Sequence, residues 1–187
     1  QLVVIPVASH KPGVTEKATE LLETVKTAGI RAKIDLSENS PGWKFAEYEM
    51  KGVPLRLEVG PRDIEQGQCV LVRRDNREKT VVKFEDLAAT IPALLEDIQK
   101  SLFEKALRNR EEHTYTAKSL DEMKDILKEH VGFVKSMWCG DRACEEKIKE
   151  ETGMPSRCMP FEQEHISDVC PVCGKPAHKM VVWGIAY

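Results

Sequence analysis

The 187 residues are enough for one large domain or two small ones, and a composition of 41% hydrophobic and 32% charged residues is that of a soluble globular protein. A net charge of −3 excludes a general polyanion binder, which carries a basic excess, so any nucleic-acid contact has to be local and selective. No apolar run reaches membrane-spanning length and no secretory leader is present, which predicts a cytoplasmic protein with no membrane partner.

The opening "QLVVIPVA" (1–8) is a continuous apolar run, the pattern of a strand buried on both faces. A start at Gln1, without methionine and directly inside a strand, is expected of a fragment of something longer. "TEKATELLETVKTAG" places Ala18, Leu21, Leu22 and Val25 on one helical face and stops at Gly29. "IRAKIDL" (30–36) alternates as a second strand, and "SPGWKFAEYEMKG" reads as a helix begun by Pro41 and ended by Gly52, with Trp43 assigned to packing. "PLRLEVG" and "QCVLVRRD" predict strands separated by the turn-rich "PRDIEQGQ", and "KTVVKF" a further strand after a turn at Asp75–Asn76. From about Thr90 a helix carries Ile91, Leu94, Leu95, Ile98, Leu102, Phe103 and Leu107 at helical spacing. This order predicts an α/β domain over residues 1–108, a mixed five-stranded sheet flanked by helices. Its expected core includes Val3, Val4, Ile5, Leu22, Ile34, Leu57, Val70, Val72 and Leu95.

The polar stretch "NREEHTYTAKS" is the expected boundary, with a small α+β domain over residues 109–187. "SLDEMKDILKEHVG" carries a capping pattern in Ser119 and Glu122 and is expected to end at Gly132. "FVKSMW", "RCMPF" and "HKMVVWGIAY" look like strands, and "CEEKIKEETG" like a short charged helix.

Four cysteines sit at the ends of these elements as two close pairs, Cys139 with Cys144 and Cys170 with Cys173. Disulfides belong to oxidising compartments, and a redox C-x-x-C opens a helix, whereas Gly174, Lys175 and Pro176 favour a turn. C-x4-C with C-x2-C instead fits a tetrahedral thiolate cage for Zn2+, closed by four protein ligands and therefore structural. Glycines after Cys139 and Cys173 free backbone amides to point at the thiolates. Cys158 is a substitute ligand or, on its strand context, a packed core thiol, and Cys69 is a core residue. His165 and His178 read as solvated.

The run "SPGWKFAEYEMKGVPLRLEVGPRDIEQGQCVLVRRD" resembles the anticodon-binding domain of class II aminoacyl-tRNA synthetases, and most specifically that of the prolyl-tRNA synthetases. "WCG", "CMPF", "CGKPA" and the terminal Tyr187 resemble the carboxy-terminal zinc-binding domain of the eukaryotic and archaeal form. The resemblance implies a C-terminal portion of a proline–tRNA ligase, catalytically inert alone, whose catalytic domain lies upstream with its ATP and Mg2+. The implied partners are that domain, a second copy in a full-length homodimer, and the anticodon loop of a proline tRNA.

Proline anticodons share two guanines, as the resemblance implies. Guanine offers acceptors that suit arginine and donors that suit a carboxylate, and unstacked bases suit an aromatic ring. Carried over residue by residue, the family's anticodon contacts fall on Phe45, Glu49, Arg56, Arg62 and Asp63, expected on one face, with Lys44 and Lys79 as phosphate contacts. Plainer readings make Phe45 a core ring, Glu49–Arg56 a surface ion pair and Arg62–Asp63 turn residues. Two rivals compete: a stand-alone RNA- or protein-binding module derived from such a domain, and a small redox or metal-transfer protein.

Overall fold

The computed structural model describes residues 1–185, so Tyr187 lies outside the described residues. The chain forms two compact units, Gln1–Glu104 and a second that begins at Lys105.

The first unit is built on β1 (Leu2–Pro6), α1 (Val14–Thr27), β2 (Ala32–Ile34), α2 (Pro41–Met50), β3 (Leu55–Val59), α3 (Pro61–Glu65), β4 (Gln68–Arg73), β5 (Lys79–Lys83) and α4 (Leu87–Glu112). Its five strands order as β2-β1-β3-β4-β5, with β1 parallel to β2 and β3 and the remaining pairs antiparallel. The step from β1 to β2 runs one way along the sheet, and the step from β2 to β3 returns across β1. Right-handed crossovers then require α1 and α2 on opposite faces.

The packing shows this. Leu2, Val4, Leu55, Leu57, Val59, Cys69 and Leu71 point into the main core with Ala18, Leu21, Leu22 and Val25 of α1 and Leu87, Ile91 and Ile98 of α4. Val3 and Ile5 point the other way and pack with Tyr48 of α2, flanked by Phe45 and Val53. The continuous apolar run of β1 is thereby explained, since both of its faces are covered. The expected core residues are buried, except Ile34, Val70 and Leu95, which are half-buried.

Four local expectations change. "PRDIEQGQ" contains a short helix, α3, with Pro61 at its first position and the Asp63 carboxylate accepting from the Gly60 amide at 2.8 Å. Trp43, expected in packing, is half exposed near the start of α2, where Ser40 caps the helix through the Trp43 amide. Leu102 and Phe103 are exposed despite their helical spacing. At 1.5 Å per residue, the 26 residues of α4 extend about 39 Å, roughly twice the length of a five-residue strand, so the helix outruns the sheet. The "NREE" of the polar stretch is helical too, as the end of α4.

The second unit contains β6 (Thr114–Thr116), α5 (Leu120–Glu129), β7 (Phe133–Trp138), α6 (Arg142–Thr152), β8 (Ser156–Cys158) and β9 (Lys179–Gly184), with sheet order β6-β7-β9-β8. Ser119 Oγ accepts from the Glu122 amide at 3.1 Å, and Glu122 reaches back to the Lys118 amide at 2.7 Å, so the expected capping pair forms. Trp183 is fully buried with Met123, Val134, Ile148, Met154 and Val181, and its indole N–H donates to Ser136 Oγ at 3.0 Å. Helix α5 stops at Glu129, before Gly132. The glycine instead permits a close backbone approach, because a Cβ there would lie 2.1 Å from the carbonyl oxygen of His113, which accepts from the Phe133 amide at 2.8 Å.

Gly132→Ala therefore has to push β7 off the His113 carbonyl. The expected loss is about 1–3 kcal/mol, the range for forced overpacking. Urea titration of the chain followed by tryptophan fluorescence measures it, and an unchanged midpoint would show that the backbone has slack there.

Candidate nucleic-acid interface and cysteine centre

Strand β3 is two-faced. Leu55, Leu57 and Val59 fill the core, so strand alternation puts Arg56 and Glu58 on the α2 side of the sheet. There the Arg56 guanidinium lies over the Phe45 ring, 3.9 Å from its centre. Arg56 Nη1 donates to Glu49 Oε1 at 3.1 Å, and Nε donates to Glu58 Oε1 at 2.8 Å. Phe45 and Glu49, one helical turn apart on α2, thus meet Arg56 as expected. Glu58 is a partner that the sequence reading missed, although its i, i+2 relation to Arg56 on a strand was a usable signal.

The same face continues beyond α2. Strand register aligns Lys33, Val3, Arg56, Val72 and Lys79 in one cross-strand row. Lys79 is exposed, and Val81 beside it is 60% exposed, so the β5 side of this face is open. The face is partly apolar, with cations set into it.

Arg62 and Asp63, expected on one face with Phe45, Glu49 and Arg56, lie on α3. That helix starts at the carboxyl end of β3, next to β1, where the strand order reverses. Ligands of open α/β sheets favour this location. Arg62 is exposed, whereas Asp63 is half-buried and engaged with Gly60. Burial, helped by the nearby Asp63 charge, pushes the core thiol Cys69 up to about 12, so Cys69 stays protonated.

Lys44 does not reach a phosphate. It is 2% exposed, and its Nζ donates to the Asp35 backbone carbonyl at 3.1 Å and lies 3.7 Å from Asp35 Oδ1. Its position on α2 turns it inward, where it ties the helix to the end of β2. Burial pushes the Asp35 carboxyl up. The hydroxyl and amide of Ser37, the Tyr48 hydroxyl and the Lys44 charge outweigh that effect and hold it below the ordinary aspartate range.

In the second unit the sulfurs of Cys139, Cys144, Cys170 and Cys173 all lie within 4.8 Å of one another. Cys139 and Cys173 are 3.8 Å apart. A tetrahedron with arms of about 2.3 Å has edges of about 3.8 Å, whereas a disulfide needs about 2.05 Å. The four thiols are free and fit a metal cage. Cys139 follows β7, Cys144 sits in the first turn of α6, and the other two lie in a turn closed by the Val169–Pro176 bridge. Gly140 and Gly174 adopt φ of 90° and 69°, so the next amides, of Asp141 and Lys175, bond Cys139 and Cys173. The Lys175 amide pulls the Cys173 thiol down to about 7, while burial pushes Cys144 well up. The donors are thus aimed where thiolate charge would sit. Cys158 is exposed on the edge strand β8 and outside the quartet, which corrects its assignment as a core thiol or substitute ligand. His165 and His178 are exposed as expected.

Residues 1–94 match the family described as anticodon binding domain, and residues 120–187 match the family described as prolyl-tRNA synthetase, C-terminal. Over all 187 residues the chain is 58% identical to a proline–tRNA ligase of Clostridium novyi, 58% identical to proline–tRNA ligase 2 of Bacillus cereus, and 56% identical to a proline–tRNA ligase of Lachnospira eligens. It spans 39% of the length of each. These relatives are bacterial, where the sequence resemblance pointed to the eukaryotic and archaeal form. No helix among the described residues is long and apolar enough to cross a membrane.

The hydrogen bonds that Ser37 and Tyr48 give the Asp35 carboxylate, which with the Lys44 charge outweigh its burial, make stability depend on pH. A depressed carboxyl contributes stability that is complete above the ordinary aspartate range and is lost as pH falls through its lowered value. Asp35→Asn is expected to cost about 1–3 kcal/mol at pH 7, the penalty for a buried polar partner removed. The gap to the unsubstituted chain should close as pH drops below about 3.9. Denaturant midpoints of both proteins across pH 2–7 test this, and a gap that widens on acidification would contradict it.

Proposed function

The chain belongs to the anticodon-binding domain family and matches the C-terminal region of the prolyl-tRNA synthetases, and on that footing we propose that it reads the anticodon loop of a proline tRNA. The observation that carries the reading is the Arg56 guanidinium set over the Phe45 ring and held by Glu49 on an open sheet face. Guanine presents acceptors to arginine and donors to a carboxylate, and loop bases stack on aromatic rings and guanidinium planes. Arg56 Nη2 makes no hydrogen bond to another described side chain, so a donor edge is available for a base. Arg62 and Asp63 on α3 extend the site at the carboxyl end of β3, and Lys79 supplies a phosphate contact from β5.

The same reading covers the rest of the protein. A catalytic domain on the N-terminal side would bring ATP, Mg2+ and the ligation of proline to tRNA, in a cytoplasmic homodimer. The identities to whole proline–tRNA ligases support this, as does the share of their length that the chain spans. The four-cysteine cluster supports a structural Zn2+ in a zinc-binding second unit.

Glu49→Gln keeps size but replaces an acceptor oxygen with a donor. It is expected to weaken binding of a stem-loop with the proline anticodon by about 1–3 kcal/mol, the range for one good base-edge pair. A loop with both guanines replaced should lose little, while Lys79→Ala should weaken both loops alike. Titrations at fixed salt decide it, and equal losses on both loops for Glu49→Gln would mean that the site does not read bases.

For the cage, one Zn2+ per chain with sulfur distances of about 2.3 Å is expected from metal analysis and X-ray absorption. Chelation should unfold the second unit while the first remains folded, and Cys158→Ser should keep its metal. Protein purified without chelator and free of metal would overturn the assignment.

A further inference from the structure

Arg74 has no role in the site as described so far, and its environment is unusual. It follows β4, and its amide still donates to the Pro54 carbonyl at 3.0 Å, so strand pairing continues past Arg73. Alternation therefore places Arg74 with Val70 and Val72 on the face that carries Arg56 and Lys79. Together with Tyr48, Glu49, Val53 and Arg56 it lines one narrow cleft. Neighbouring Arg73 points into the other side and is held by Asp75 and Asp97. Arg56 is held by Glu49 and Glu58. Arg74, in contrast, is half-buried and has no acidic partner at ion-pair distance among the described residues; its Nε is turned inside, and the cleft, at about 10 Å³, has room for no more than a water.

A guanidinium on an open sheet face without a carboxylate partner is free to hold an oxyanion, and its planar fork matches one with two parallel hydrogen bonds. The carboxylate that lines the cleft, Glu49, already accepts from Arg56. We propose that Arg74 grips a backbone phosphate of the single strand whose bases meet Phe45, Glu49 and Arg56. It takes the role expected of Lys44, which is buried on Asp35. This rests on the anticodon reading above and adds to it an anchor that carries no sequence information.

The plainer alternative is that the apolar stem of Arg74 merely covers Tyr48 and Val53. Two variants separate the cases in the 187-residue chain: Arg74→Met keeps a stem and removes the charge, and Arg74→Lys keeps the charge and removes the fork. The probes are an RNA stem-loop with the proline anticodon and the same loop without its guanines, titrated across a salt series. Arg74→Met is expected to weaken both loops by the same factor, about fivefold or more, and to lower the slope of log K against log salt by about 0.7, one single-strand phosphate contact. Arg74→Lys should restore the slope but only part of the affinity, with thermal melts of both variants near that of the unsubstituted chain. Unchanged affinity and slope in Arg74→Met, or a loss confined to the guanine-bearing loop, would overturn the phosphate role. If the unsubstituted chain binds both loops equally, base reading fails, while the Arg74 slope still tests the anchor. If it binds neither, both proposals fall.

Discussion

A handedness constraint organises the first unit. Because the chain steps from β1 to β2 and then back across β1 to β3, right-handed crossovers force α1 and α2 to opposite faces. With α4 on the α1 side, one face is covered across the sheet, while α2 covers the other only near β1. The uncovered remainder, over β4 and β5, adjoins the α2 edge. Phe45 and Glu49 on α2 therefore face Arg56 on β3 at the rim of an open sheet. No special loop is needed to assemble the cluster, since topology and strand alternation suffice.

The rim has an electrostatic cost that the sequence distributes carefully. Arg56 is nearly buried, and a guanidinium there needs partners. Glu49 and Glu58 supply them on two of its nitrogens, and the Phe45 ring supplies a face. The side chain is thus fixed in orientation before any ligand arrives, and little ordering entropy remains to be lost on binding. Lys44 contributes from beneath. By bonding Asp35 at the end of β2 it sets where α2 lies, and so where Phe45 and Glu49 are held.

Much of this was legible in the residues. The unbroken apolar run of β1 announced burial on both faces, and the cysteine spacing announced a cage whose knuckle glycines do hold positive φ. What was not legible depends on tertiary geometry. Nothing local tells that Lys44 meets a carboxylate nine residues earlier, because no motif joins the end of β2 to the middle of α2. The five residues of α3 are too few to show a helical period. The period of α4 continues through Leu102 and Phe103 because periodicity carries no information about where the sheet ends. Cys158 looked packed because its neighbours are strand-like, yet β8 is an edge strand with all three residues exposed.

The net charge of −3 and the cations of the open face are two sides of one design. Lys33, Arg56 and Lys79 occupy a single cross-strand row, and Arg74 lies on the same face, while the carboxylates that balance them are either bonded locally or placed elsewhere. A surface with a basic excess would attract any polyanion through counterion release, whatever its sequence. Here the positive charge is small and partly neutralised by Glu49 and Glu58, so phosphate attraction alone is weak. On the anticodon reading proposed above, binding strength then comes largely from groups that stack on Phe45 or pair with Arg56 and Glu49, the contacts able to distinguish one base from another. On that reading, low net charge shifts the energetics of the site from affinity toward selectivity.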